Sequence, residues 1–280
     1  MQGDITFHYY VYGAKAKMVN KNDSLYLKNT FRIKAFQLYS FLKLSTFKLL
    51  GIKVSKLKDQ RGYWHKRGYV YMQEILNSGY LDREMFFQNM LIDKLRELEF
   101  GSVFEAGCGF GWNIRRAKEE FSCVRVGGFD FSFSQLKNSK EYIGDLDIPI
   151  VNSDNCYLPA KDKVFDIGFS VGVFMNIHSS KIRLALKEMI RVCRKYIIHL
   201  EYDENHTTAE LREKRSFKTN IVSHDYKSLY ESLGVKAVTV LTYKDFGDSY
   251  MDFQKTLTHG VAGWEGFEGA EKYVMVIIEL

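Results

Sequence analysis

The stretch FEAGCGFGW (residues 104–112) sets three glycines, Gly107, Gly109 and Gly111, at alternate positions behind a carboxylate, Glu105. Glycine admits positive φ and leaves the backbone bare, so a ligand can press against main-chain N–H groups at a helix N-terminus. A dinucleotide site would need its third glycine at position 112, which is Trp112 and too bulky for the close packing required there. A carboxylate two residues ahead of the first glycine would repel a pyrophosphate. It suits a ligand that carries a positive charge, such as an amino-acid moiety.

Further acidic and polar residues follow at intervals. Asp130 closes GGFDFS, Asp154 and Asn155 sit in NSDNCYLP, and FDIGFSVGVFMNIH carries Asp166, Ser170, Val171, Asn176 and His178. Taken singly, Asp130 and Asp154 read as ligand-binding before they read as mere helix caps, whereas Asp166 reads as structural before it reads as ligand-binding.

The elements that must position these residues are legible as alternating runs. Residues 102–107, 124–130, 148–154, 164–172 and 196–202 are short and mostly apolar, as strands covered on both faces should be. Between them, residues 113–121, 132–143 and 179–195 have helical patterns. In the last, Ile182, Leu186, Met189, Ile190 and Cys193 recur at helical spacing and predict one buried stripe. Repeated β-α units imply a doubly wound α/β fold with a mostly parallel sheet, whose ligand lies at the carboxyl ends of the strands. Residues 224–234 predict a helix ending at a glycine. Residues 235–243 and 272–280 predict two strands pairing as an antiparallel C-terminal hairpin that closes a seven-stranded sheet. The long stretch between those strands, residues 245–271, reads as a functional loop, and it and residues 63–75 are expected to wall the pocket of whatever substrate the domain takes.

On these residues the chain resembles the class I, Rossmann-like S-adenosylmethionine-dependent methyltransferases over roughly residues 63–280. The resemblance implies S-adenosyl-L-methionine as cofactor. It implies that the backbone of Gly107, Cys108, Gly109 and Gly111 faces the methionine moiety, with Glu105 near its ammonium group. Asp130 would take both ribose hydroxyls, with Phe131 beside it. Asp154 would accept from the adenine amino group, Asn155 would add a backbone contact, and Ser170 and Val171 would stand at the ligand end of the fourth strand.

Methyl displacement chiefly requires alignment, and a hydroxyl acceptor is helped by a general base. Base candidates on the loops after strands four and five are Asn176, His178, Glu201, Asp203, His206 and His224. His178 is the first choice, with a helix-capping histidine as its alternative, and Glu201 is the second. Many relatives carry a HIP-like triplet after strand four. This chain reads NIH at residues 176–178, which leaves the base open. The tetrapeptide of amino-methylating nucleic-acid enzymes is absent after strand four, so no specific nucleic-acid partner is expected. No Pro-Cys nucleophile pair and no recognisable magnesium-binding acidic set is present either, so metal-independent chemistry is expected. A softer resemblance, of residues 224–235 to bacterial sugar and surface-glycan methyltransferases, implies O-methylation of a sugar or glycan precursor. The alternatives are a natural-product or other small-molecule methyltransferase, and a non-catalytic cofactor-binding or membrane-associated partner protein.

The remaining character of the chain frames this domain. Its four cysteines are scattered, which reads as reduced thiols in a cytoplasmic protein. Residues 1–60 hold eleven Lys/Arg against three Asp/Glu, a net of +8, so the other residues sum to −2 within a total of +6. A basic, aromatic N-terminal extension (1–62) thus precedes the methyltransferase domain (63–280), whose first part, residues 63–98, predicts a helical cap. Within the extension, residues 31–54 mix apolar residues with regularly placed Lys and Arg. That pattern fits a helix packed on the domain, or peripheral contact with the inner membrane face. No secretory signal and no membrane-spanning run is expected.

Overall fold

The structure is a computed structural model that describes residues 60–77, 80–207, 212, 221–250 and 273–280. The segment proposed for membrane contact (31–54) and most of the 245–271 loop lie outside the described residues. Among the described residues no helix is long and apolar enough to cross a membrane.

Seven strands build one sheet: β1 (Ser102–Ala106), β2 (Arg125–Asp130), β3 (Ile150–Asn152), β4 (Phe165–Val171), β5 (Cys193–Glu201), β6 (Ala237–Leu241) and β7 (Val274–Glu279). Their order is β3-β2-β1-β4-β5-β7-β6. The first five run parallel, and β7 is antiparallel to both of its neighbours. Helices α3 (Trp112–Glu120), α4 (Phe133–Ile143) and α5 (Ile182–Val192) make the crossovers, while α1 (Arg61–Asn77) and α2 (Tyr80–Arg96) precede β1. A short helix α6 (Tyr226–Glu231) precedes β6. This is the doubly wound, mostly parallel fold that the alternating runs imply.

One detail differs from expectation. Cys193 does not extend the stripe of α5; it opens β5 opposite Phe165. Its sulfur lies where a side chain at Gly168 would stand, 2.7 Å from the position of a Cβ there, so β4 and the start of β5 pack through a missing side chain. The stripe that remains, Ile182, Ala185, Leu186 and Met189, is buried. The C-terminal strands pair antiparallel and close the sheet as expected, with β7 beside β5 and β6 at the edge. The reason is composition. β7 (VMVIIE) is a nearly unbroken apolar run and is mostly buried, whereas β6 (AVTVL) is half exposed and tolerates the edge.

The expected cap divides into α1 and α2. From α2, Phe87, Leu91, Ile92 and Leu95 are fully buried in the core beside β1. α1 lies directly on α4, and three of its carbonyls accept from α4 and its N-cap: Trp64 from Ser132 Oγ (3.1 Å), His65 from Ser134 Oγ (2.6 Å) and Gly68 from Asn138 Nδ2 (2.6 Å). A Cβ at Gly68 would stand 2.1 Å from Ser134 Oγ, so only glycine permits this approach.

Candidate active site

The turn after β1 owes its shape to its glycines. Gly107, Gly109 and Gly111 take φ of 82°, 55° and 95°, a region that costs a side-chain-bearing residue about 1–2 kcal/mol. The N–H groups of Gly107 and Cys108 donate to Phe129 O at 2.7 and 2.9 Å and tie the turn to β2. A Cβ at Gly107 would lie 2.3 Å from Val173 Cγ1, so the wall after β4 presses directly on the turn.

Two carboxylates meet this turn. Asp130 Oδ2 accepts from Gly109 N (2.9 Å) and Oδ1 from Ser132 N (2.8 Å), so it braces the turn and also holds the residue that precedes α4. Its oxygens keep further lone pairs for a ligand, and burial pushes its pKa up to about 6. Glu105 is buried, and its Oε1 accepts from Asn113 Nδ2 at 2.8 Å. Its Oε2 has no hydrogen-bond partner. Burial first, and the nearby Asp130 charge after it, push the Glu105 pKa up to about 8, against the Asn113 bond. A buried carboxylate oxygen left open toward a cavity is costly unless a cation or donor meets it. The ammonium group of an amino-acid moiety would do so.

The cavity measures about 370 Å³ and lies over the carboxyl ends of β1, β2 and β4. Glu105, Gly107, Cys108, Gly109, Asp130, Phe131, Asp154, Asn155, Val171 and His178 all line it. Gly111 does not; it is the N-cap of α3, in left-handed conformation. Asp154 is largely spoken for: Oδ1 accepts from Cys156 N (2.9 Å) and Oδ2 pairs with Arg61 Nη2 (3.1 Å). Beside it the buried Asn155 Oδ1 lacks a partner. The open acceptor on this loop is therefore the Asn155 side chain, where a backbone contact was expected.

Besides Gly111, the expected site residues Ser170 and Glu201 are not brought to the cavity. Ser170 is buried in the core, donating to Glu201 Oε1 (2.8 Å) and facing His199 Nδ1 (2.7 Å). Glu201 is fully buried, and four hydrogen bonds occupy its carboxylate, from Ser170 Oγ and from the backbone N–H groups of Val173, Phe174 and Met175. It does not line the cavity and cannot serve as the base there. Asp166 sits at the far end of β4, accepting from Gly101 N and Ser102 Oγ and pairing with Arg194, in keeping with the structural reading. Asp203 and His206 pair with each other in the turn after β5, outside the cavity wall. His224 Nε2 meets the carbonyl of Ile177 at 3.0 Å and supports the wall from behind.

His178 does line the cavity, but its Nδ1 accepts from Ser180 N at 3.1 Å and contacts Ser180 Oγ at 2.8 Å. With Nδ1 accepting, the neutral ring carries its proton on Nε2. Its carbonyl receives Lys181 N and Ile182 N at the start of α5. These contacts close the turn ahead of α5, whose N-cap is Lys181 and which has no side-chain cap bond, and they make His178 a donor to a ligand, not a base.

Several lining residues escape the strand-end pattern. Gln60 and Arg61 reach across the cavity mouth, Gln60 Nε2 to Asn176 O (2.9 Å) and Arg61 to Asp154. Tyr63, Trp64 and Tyr71 of α1 add an aromatic wall, with Trp64 and Tyr71 edge-to-face at 5.6 Å. Gln135 contributes a buried Oε1 without a partner, and Tyr273 lines the cavity just before β7. Gln135 had one signal in sequence, a polar residue on the buried face of a crossover helix. Tyr63, Trp64 and Tyr71 were expected only as part of the 63–75 segment, and Gln60, Arg61 and Tyr273 had no signal.

Comparison with known proteins bears on this arrangement. Residues 103–196 match the methyltransferase domain family. No curated protein matches the chain. Among solved structures, the fold is similar to geranyl diphosphate C-methyltransferase from Streptomyces coelicolor A3(2), crystallised with Mg2+, geranyl diphosphate and S-adenosyl-L-homocysteine. That likeness has a TM-score of 0.57 at 14% identity, covering 70% of this chain and 80% of that one. Phosphoethanolamine N-methyltransferase 2 of Haemonchus contortus, bound to phosphomonomethylethanolamine and S-adenosylhomocysteine, gives 0.56 at 14% identity, covering 75% and 59%. An S-adenosylmethionine-dependent methyltransferase from Thermotoga maritima gives 0.52 at 18% identity, covering 79% and 97%. Identities this low speak for the fold alone. The family match runs across β1 to β5 and takes in the carboxylate–glycine cradle at its head, so residues 103–196 are similar to a methyltransferase domain and share the fold of these S-adenosylmethionine-dependent enzymes.

Proposed function

We propose that the protein transfers a methyl group from S-adenosylmethionine to a hydroxyl of a small neutral acceptor, with a sugar or glycan precursor as the first choice. One observation carries the choice of acceptor. Besides Glu105, Asp130 and Asp154, which belong to the cofactor side, no acidic side chain lines the cavity among the described residues, and its opposite wall is aromatic. An amine acceptor would lack a carboxylate to meet it. A neutral ring can lie against Tyr63, Trp64 and Tyr71 and be oriented by a few polar groups.

The cofactor supplies an electrophilic methyl group on its sulfonium. Glu105 holds the ammonium end, Asp130 the ribose and Asn155 the adenine edge. The acceptor oxygen must then stand in line with the methyl carbon, which is a matter of alignment by the cavity walls. His178, protonated on Nε2, can donate to that oxygen. With the donor bound, its methyl carbon would pass to that oxygen, its sulfur would keep the bonding pair, and the hydroxyl proton would leave to solvent. The proposal includes no metal, so EDTA should leave turnover unchanged.

The apolar lining of Ile75, Leu81, Met175 and Ile177 favours an acceptor with an apolar portion as well. A lipid-linked sugar would satisfy both walls, and so would a natural product with a hydroxylated ring. For the lipid-linked case the enzyme would work in the cytoplasm against the inner membrane face, held by residues 31–54. Sedimentation of the full-length protein with anionic vesicles, and its loss when residues 1–59 are deleted, tests that contact. Isothermal titration with S-adenosylmethionine tests the donor, and absence of binding at millimolar ligand would also remove a non-catalytic binding role. A gain of one methyl mass on candidate glycans, set against small phenolic or terpenoid alcohols, tests the acceptor.

A further inference from the structure

A polar cluster lies behind the cavity wall, outside the site described above. Glu201, at the end of β5, accepts at Oε1 from Ser170 Oγ (2.8 Å), Val173 N (2.8 Å) and Phe174 N (2.9 Å), and at Oε2 from Met175 N (3.1 Å). An ionised carboxylate only accepts, so the Ser170 proton points to Glu201. Ser170 Oγ then receives the Nδ1 proton of His199 (2.7 Å), and His199 Nε2 receives the hydroxyl proton of Tyr230 (2.6 Å). Burial holds the His199 pKa down to about 3, so the ring is neutral and this direction is the consistent one. A single ordered chain therefore runs from α6 through β5 and β4 and ends on Glu201.

The three backbone donors are consecutive, and they open the 3₁₀ turn Phe174–Asn176 that follows β4. The same turn places Val173 against Gly107 and sets Met175 and Asn176 into the cavity wall. One carboxylate thus fixes both the cofactor side and the acceptor side of the wall.

We propose that Glu201 is a positioning residue for methyl transfer: its ionised carboxylate gathers the N–H groups of Val173, Phe174 and Met175 and holds the turn after β4 in the shape that closes the glycine cradle and faces the acceptor. Its effect on transfer rests on the methyltransferase reading; its geometry does not. Glutamine cannot replace it, although isosteric, because its amide has one oxygen and one NH2 group. If the oxygen takes the three-donor side, the NH2 meets Met175 N–H, donor against donor. Turned the other way, it meets three donors.

The groups facing Glu201 are Ser170 from β4, His199 from β5, and Tyr226 and Tyr230 from α6; burial keeps both phenols well above their ordinary range. Asp203 stands nearby, and its charge, like that of Glu201, acts on Tyr226. No cation is in this set. Burial correspondingly pushes the Glu201 pKa up to about 7, so the anchoring charge titrates near neutrality.

The experiment follows the amide signals of Val173, Phe174 and Met175 in full-length, 15N-labelled protein from about pH 5.5 to about pH 8.5. In the wild type the three amides move together through a transition near pH 7 that is absent in Glu201→Gln. S-adenosylhomocysteine should bind Glu201→Gln about tenfold more weakly, at a temperature where circular dichroism shows the variant folded. Ser170→Ala, which keeps all three backbone bonds, should stay within about twofold of the wild type. Wild-type amides that do not titrate, or amides that titrate identically in both proteins, overturn the role; so does unchanged affinity in Glu201→Gln. If that variant does not fold, the wild-type titration decides alone. If the wild type fails to bind S-adenosylhomocysteine, the methyltransferase reading falls while the amide titration still judges Glu201.

Discussion

Glu105 and Glu201 are the same residue type near the carboxyl ends of two parallel strands, β1 and β5, and both are fully buried with raised pKa values. They differ in what is left over. Glu201 spends both oxygens on four protein hydrogen bonds, whereas Glu105 meets one amide and keeps an oxygen without a partner at the cavity. Burial and a shifted pKa therefore do not separate a ligand-binding carboxylate from an internal brace. Remaining hydrogen-bonding capacity, aimed into a cavity, does.

Substitution should pull this pair apart. Glu105→Gln removes the charge that meets the ammonium group, and S-adenosylhomocysteine affinity should fall about 10- to 100-fold. The apo protein should be no less stable, because burial already keeps Glu105 largely protonated near neutral pH and the glutamine oxygen can still accept from Asn113. Equal thermal stability loss in Glu105→Gln and Glu201→Gln would erase the distinction. Glu201→Gln itself should lower stability by about 1–3 kcal/mol, the cost of stranding buried donors, as read by denaturant unfolding. Gly107→Ala should cost at least about 1–2 kcal/mol from its φ of 82° alone, with a further loss where the methyl meets Val173. A calorimetric unfolding temperature equal to wild type would refute that packing.

The shared feature of the pair gives a pH effect. Folding raises Glu105 from 4.5 to about 8 and Glu201 from 4.5 to about 7, so the folded state holds these protons more tightly than the unfolded chain. Their contribution is complete below pH 4.5 and is lost as pH rises through the folded values. His199, lowered from 6.5 to about 3, acts in the opposite sense but has finished doing so by pH 6.5. Apo stability should therefore fall between about pH 6.5 and pH 8, and saturating S-adenosylhomocysteine should flatten that slope by pairing Glu105 with its ammonium. A melting temperature that climbs over the same range in the apo protein contradicts the account. The smallest effect is expected at the cavity mouth. Arg61 is largely exposed, so Arg61→Ala should change stability by less than about 1 kcal/mol, as measured by denaturant unfolding.

The cradle was legible in sequence because every part of it is local. Three glycines in one turn and an acid at a strand end are fixed by spacing within a few residues, and a parallel sheet brings the ends of β1 and β2 to one edge whatever else the chain does. The aromatic wall was legible only as a segment: residues 63–75 were expected to wall the acceptor pocket, but not which of their side chains face it. Tyr63 and Trp64 reach the cavity because Gly68 lets α1 rest against Ser134, a contact spanning the whole of β1, α3 and β2. The misreadings of Ser170 and Glu201 have the same origin. Both sit at strand ends, where such residues are candidates for a site, and both turn inward because the turn after β4 leaves three N–H groups that need an acceptor.

The sequence by itself thus determined the α/β order of elements, the glycine turn and the carboxylates that meet it, since periodicity and backbone conformation act over short distances. Only the tertiary structure decided which buried carboxylate faces a ligand, which histidine nitrogen carries a proton and which helix closes the cavity. Those outcomes depend on which donors arrive from distant segments, and hydrogen-bond capacity is filled by whatever folding brings near.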